Sequence, residues 1–222
     1  MLGSLLSMAD AARSLAEVGR RFHARGWVLG TSGNFSAVLT PRPLRLAITA
    51  SAAHKGTLDP SQFLEIDERG RAPSARGSRP SAEALLHLEV IAAKGARAVL
   101  HTHSIWSTIL SDQYANAGGL EISGYEMLKG LDQVRTHEHR EWIPILENDQ
   151  DMTRLATTLR RSFQEHPAMH AFLLRRHGLY TWGATIADAE RHVEILEFLL
   201  ETVGRSTYAG RDVSGADPGK EL

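Results

Sequence analysis

His101-Thr102-His103 sets two imidazoles two residues apart at the end of the apolar run 98–100. On a strand, residues i and i+2 project from the same face, so both rings can reach one point. Two neutral imidazoles supply half of a site for zinc or another divalent transition ion. The ordinary alternative is a hydrogen-bonded pair on a sheet face. A third ligand would complete a catalytic centre that leaves one position open for water or substrate. His177 is the candidate: it follows the apolar run 171–174 and precedes Gly178, at a strand end where backbone can approach a ligand closely. A rival pair, His137 and His139, stands among Arg135, Glu138, Arg140 and Glu141 and reads as a solvated face. His87 reads as packed or solvated on a helix. His23, His54, His166, His170 and His192 carry no spacing signal.

Two carboxylates compete for acid–base work. Glu83 falls in the first turn of a helix expected to start at Ser81, where an acid also complements the helix dipole. Glu126 closes Ser123-Gly124-Tyr125-Glu126, which matches an ordinary capping box. Small polar turns form a second constellation. Gly33 and Asn34, Ser51 after a strand, and Ser81 at a helix start together could hold a phosphate through backbone amides and hydroxyls. Taken singly, Gly33-Asn34 is a common turn and Ser81 a common N-cap.

The elements that must position these groups follow from periodicity. Apolar residues at three- and four-residue spacing predict a helix over 4–25, stopped by Gly26. Strands are expected at 35–39, 44–49, 63–67, 98–103, 143–146, 171–175 and 179–182, and further helices over 81–94 and 104–112. Asn148 or Asp149 would cap a helix carrying Met152, Leu155, Leu159 and Phe163. Thr185 with Asp188 would cap a long last helix. Interleaved strands and helices make the class α/β, as one domain over 1–205 with a mobile tail at 206–222.

The chain has 222 residues, 42% hydrophobic and 23% charged, with a formal net charge of -1. That balance leaves no global basic field for nucleic acid or an anionic membrane. No apolar run is long enough to span a bilayer, and the N-terminus lacks the order of a secretory signal. With no cysteine, thiolate chemistry and disulfides are excluded, which fits a reducing cytoplasm. The 11 histidines are the unusual feature.

Taken in order, Thr31-Ser32-Gly33-Asn34-Phe35-Ser36, Ile48-Thr49-Ala50-Ser51, Arg79-Pro80-Ser81-Ala82-Glu83, His101-Thr102-His103 and His177-Gly178-Leu179 resemble the class II aldolase family, the fuculose-phosphate aldolase and ribulose-phosphate epimerase group. The resemblance runs over roughly residues 10–203. It implies a three-layer α/β/α sandwich around a largely antiparallel sheet, assembled as a homotetramer with sites near subunit interfaces. It implies one Zn2+ per subunit on His101, His103 and His177. It also implies a phosphate held at Gly33, Asn34, Ser51 and Ser81, with Lys55 or Lys129 as a further contact. Ala82 stands where the aldolases often carry a second serine.

Three further segments are most similar to the sugar-phosphate dehydratases of that family. They are residues 50–56, Gly124-Tyr125-Glu126-Met127-Leu128-Lys129-Gly130-Leu131, and Trp142-Ile143-Pro144-Ile145-Leu146-Glu147-Asn148. The resemblance makes Glu126 the acid–base residue for dehydration and Glu83 the one for aldol cleavage. The expected substrate is a ketose 1-phosphate that loses its C3 proton and C4 hydroxyl to give a 2,3-diketone. The same zinc enediolate would serve an aldolase or epimerase. A noncatalytic metal-binding protein would be marked by a missing ligand or by loss of both carboxylates, and all are present.

Overall fold

The computed structural model describes residues 6–73 and 77–209. Its strands are β1 (Asn34–Pro41), β2 (Leu44–Thr49), β3 (Phe63–Asp67), β4 (Ala98–Thr102), β5 (Gly119–Ser123), β6 (Arg140–Leu146), β7 (Ala171–Leu174) and β8 (Gly178–Gly183). They form one sheet in the order β3-β2-β1-β4-β8-β7-β6-β5. Neighbours pair antiparallel except β6 with β7, which are parallel. That exception follows from the connection: helix α4 (Met152–Glu165) carries the chain back across the sheet, and only a crossover of that length can join parallel neighbours.

Helices cover both faces. α2 (Ala84–Lys94) and α4 pack on one face against Val99, Phe172, Tyr180 and Trp182. α1 (Met8–Ala24), α3 (Ile105–Gln113) and α5 (Ile186–Ala209) cover the other. This is the expected three-layer sandwich. α1 buries Ala11, Ala12, Leu15, Val18 and Phe22, and each large apolar side chain so buried contributes about 1.5–3 kcal/mol. Alternation along β4 fixes the site: Val99 lies in the α2/α4 core, Ala98 and Leu100 in the α1/α5 core. His101 and His103 share the face of Val99, and Thr102 the opposite one.

Several expected boundaries move. α2 begins at Ala84, not Ser81, because Pro80 bridges to Ala50 and keeps the chain extended to that point. Asp151, not Asn148 or Asp149, caps α4 by accepting from the amides of Thr153 and Arg154. Ser123 and Glu126 form no capping box: Glu126 opens a short 3-10 turn after Tyr125, which makes no side-chain cap. β5 was not expected at all. Thr185 caps the last helix, the Asp188 amide donating to Thr185 Oγ1 at 3.0 Å, while the Asp188 carboxylate accepts from the Thr185 hydroxyl at 2.7 Å and not from its backbone amide as in a capping box. α5 continues past residue 205 to Ala209, so the first residues assigned to the tail are helical; the rest of that segment lies outside the described residues.

Candidate metal and sugar-phosphate site

The sheet brings the three histidines together. His101 is the next-to-last residue of β4, His103 follows the strand, and His177 stands in the turn between β7 and β8. The Nε2 atoms of His101 and His103 are 2.7 Å apart, those of His103 and His177 3.1 Å, and those of His101 and His177 3.3 Å. Two of the rings have their other nitrogen assigned. His101 Nδ1 donates to the Leu179 carbonyl at 3.0 Å, and His177 Nδ1 faces Asn148 Oδ1 at 3.3 Å. Protons on Nδ1 leave lone pairs on Nε2, so acceptors converge on one point. A cation resolves that convergence, and backbone or side-chain orientation of the outer nitrogen is how metal-bound imidazoles are held. The donor set therefore fits a divalent transition ion.

The protonation states agree. Burial, followed by the charges of the other two rings, holds His101 well below the usual imidazole range. Burial brings His103 down to about 4, with His177 and Lys55 adding to it. Burial also lowers His177, against the opposing pull of Glu83. All three are neutral at pH 7, the state in which an imidazole can bind a metal. Tyr180 stacks on the His101 ring at 3.8 Å between centroids, and Phe172 stacks in turn on Tyr180. On the other face, Thr102 donates to Glu197 of α5 at 2.6 Å, which pins the ligand strand from behind.

A cavity of about 180 Å³ opens beside the histidines, lined by residues 31–34, 50–52, Ser81, Glu83, His103 and His177. The β1–β4 register places Asn34 opposite His101. Glu83 enters from the turn before α2, its Oε1 3.2 Å from His177 Nε2 and its Oε2 3.6 Å from His101 Nε2. Gly33, Asn34, Ser51 and Ser81 thus meet around one space. Ser32 belongs with them. Its hydroxyl is buried and has no hydrogen-bond partner among the described residues, which leaves a donor free for an anionic oxygen.

Two residues expected as further phosphate contacts do not line this cavity. Lys55 is buried beneath the cavity, and its ammonium donates to the Thr31 and Ala53 carbonyls. Burial lowers it to about 8, with Glu83 opposing. Lys129 lies on an exposed turn and donates to Glu126 at 2.6 Å. Glu126 is itself 73% exposed and outside the cavity of its own chain. The Lys129 hydrogen bond, then its charge, holds the Glu126 carboxyl below its ordinary value.

Sequence spacing missed a relay behind Asn34. Ser36 Oγ lies 2.7 Å from His87 Nδ1, His87 Nε2 bonds Asn34 Oδ1, and Asn34 Nδ2 donates to Glu83 and, at 3.2 Å, to Ser81 Oγ. The relay fixes the Asn34 amide and thereby Glu83. Burial pushes His87 down to about 3. Unfolded, that ring titrates near about 6.5. Between these values the unfolded state binds a proton that the folded state does not, so this contribution is intact above pH 6.5 and is lost as pH falls. At pH 5 it amounts to about 2 kcal/mol. Urea unfolding at pH 7 and pH 5 should show His87→Gln flattening the acid loss by that order; an unchanged difference would remove His87 from the account.

The close approach of the Gly33 turn to β4 is equally specific. Gly33 has φ +72°, and a Cβ there would sit 2.5 Å from the His101 carbonyl oxygen. Gly33→Ala should cost about 2–5 kcal/mol from left-handed strain and overpacking together. Thermal unfolding would show this, and a shift of Tm within about 2 °C would contradict it.

The model of the class II aldolase and adducin N-terminal domain family matches residues 13–203. A methylthioribulose-1-phosphate dehydratase of Methylococcus capsulatus is 46% identical over 191 residues, 86% of this chain and 91% of that protein. The dehydratase of the same name from Marinobacter nauticus is 42% identical, over 87% and 92% of the two chains. Among solved structures, l-fuculose-1-phosphate aldolase from Thermus thermophilus superposes with TM-score 0.72 at 24% identity, covering 92% of this chain and 99% of the other. A sugar-phosphate aldolase from Thermotoga maritima gives 0.71 at 19% identity, covering 92% and 97%. At those identities the two structures speak to the fold.

Proposed function

The chain belongs to the class II aldolase and adducin N-terminal domain family, and from that membership we propose that it dehydrates 5-methylthioribulose 1-phosphate to 2,3-diketo-5-methylthiopentyl 1-phosphate, a step of methionine salvage. The observation that carries the reading is the convergence of three neutral imidazoles on the wall of a cavity whose remaining walls are small, polar and suited to phosphate. The relatives named above carry it from the family to this reaction.

We assign the metal to zinc on His101, His103 and His177, one ion at this site per chain. Bound there, it would supply Lewis acidity toward a substrate carbonyl, which makes the hydrogen on the adjacent carbon more acidic. The chain's residues do the rest. Ser32, Gly33, Ser51 and Ser81 receive the phosphate at one end of the cavity. Asn34, held by His87, orients Glu83 beside the histidines. Glu126 takes the C3 proton and returns it to the departing C4 hydroxyl, so that one water leaves and the enol product becomes the diketone. In a single chain Glu126 stands outside the cavity, so it reaches a substrate from a neighbouring subunit. Leu29 and Ile105, two residues from Thr31 and His103, are exposed apolar side chains beside the site and fit such a contact. Lys55 supports the Thr31 turn from below, and Lys129 accompanies Glu126 in this assembly.

Mass spectrometry of the zinc-loaded protein with 5-methylthioribulose 1-phosphate should show loss of one water and no fragments. Dihydroxyacetone phosphate with an aldehyde would instead mean aldol cleavage, with Glu83 as the acid–base residue. An unchanged substrate with zinc bound would overturn the substrate assignment.

A further inference from the structure

A second group of ligand-type side chains lies at the other end of the sheet. β4 and β7 both run antiparallel to β8, and β6 runs parallel to β7. The starts of β6 and β7 therefore lie at the end remote from His101, His103 and His177. His139 immediately precedes β6, Glu141 is its second residue, and His170 immediately precedes β7. His139 Nε2 and His170 Nδ1 each lie 2.8 Å from Glu141 Oε2. One ligand atom from each residue falls within 4.8 Å of the others.

Three observations separate this group from an incidental ion pair. Glu141 is 1% exposed, so its carboxylate is committed to these partners. Its other oxygen accepts the His170 backbone amide at 2.9 Å, and His170 Nε2 donates to the Asp132 carbonyl at 2.8 Å. His170 is thus oriented from outside the group through Asp132, as imidazole ligands in metal centres are, and its own backbone amide holds Glu141. Finally, the group is open on one side. His139 and His170 line a cleft of about 430 Å³ together with Asp132, His192 and Lys94, which leaves room for water in a further coordination position.

We propose that His139, Glu141 and His170 bind a second divalent transition ion, independent of the one at His101, His103 and His177. Two imidazoles and one carboxylate with an open position suit zinc or another first-row ion of borderline softness. The ion would tie the start of β6 to the start of β7, and through Asp132 to the turn before β6. Its role is to staple the parallel pair, where crossover connection leaves the strand starts far apart in sequence.

The test is metal content, which holds whatever reaction the other site performs. Apo-protein loaded with excess Zn2+ and freed of unbound ion should retain two ions per chain by elemental analysis. His139→Gln, at a half-buried surface position, should retain one and keep its water-loss activity. His103→Ala should also retain one, and added Zn2+ should still raise its Tm. The variant carrying both changes should retain none and show no such rise. Wild type saturating at one ion per chain would overturn the proposal and leave the three side chains as a hydrogen-bonded network. Two ions in His139→Gln would overturn it equally.

Discussion

His103→Ala is expected to lower kcat/KM by about 10³-fold, the factor corresponding to the several kcal/mol that a Lewis acid contributes to the transition state. The substitution leaves the sheet intact, because His103 follows β4 rather than lying within it and is only half-buried. What it removes is one of three nitrogens that meet within 2.7–3.3 Å. Metal content should fall by one ion per chain. Excess Zn2+ at about 1,000 times the wild-type Kd should stabilise the wild type by about 4 kcal/mol through this site, and that increment should vanish in the variant. Unchanged metal content together with near-normal turnover would show that the trio is not the catalytic centre.

Glu126→Gln should lower kcat by about 10²–10⁴-fold, the usual range for a positioned general base, with metal content and thermal stability unchanged. Stability is spared because the side chain is exposed and, among the described residues, bonds only to the exposed Lys129, with His137 nearby. The position of Glu126 outside its own cavity adds a sharper test. Mixed oligomers of E126Q chains, which keep the histidines, and H103A chains, which keep Glu126, should recover part of the activity that each lacks alone. No recovery would place Glu126 in service of its own chain. Full turnover by E126Q would transfer the proton to Glu83, which already lies 3.2 Å from His177.

The meeting of the three histidines, the polar turns and the sandwich were legible because each is written in local spacing. A two-residue step on an apolar strand aims both imidazoles one way, and His177 follows from a strand that ends at a glycine turn. Contacts across the sheet had no such local sign. His87 meets Asn34 over a separation of 53 residues, and nothing in a helical period marks it as the group that orients an amide on another strand. Ser32 was in view within its turn, but only burial shows that its hydroxyl is unpartnered. Glu141 was misread as solvated because its neighbours are charged. Period-two alternation over Arg140–Leu146 puts it on the same face as Ile143 and Ile145, both buried, and that signal was available. Ser81 is a strong N-cap by residue type, yet its bridge-bound neighbour Pro80 delays the helix to Ala84.

β4 lies inside the sheet, between β1 and β8, and Glu197 grips it from behind through Thr102. The groups around the rest of the cavity come from turns at 31–33, 50–52 and 81–83. One half of the site is therefore as rigid as the core, while the other hangs on segments that can change without disturbing a central strand. Such a division separates the inheritance of chemistry from the inheritance of selectivity. Substitutions in the turns can refit the cavity to a different sugar tail while the histidine-bearing strand passes down unaltered, which gives one architecture room to diversify into related lyases.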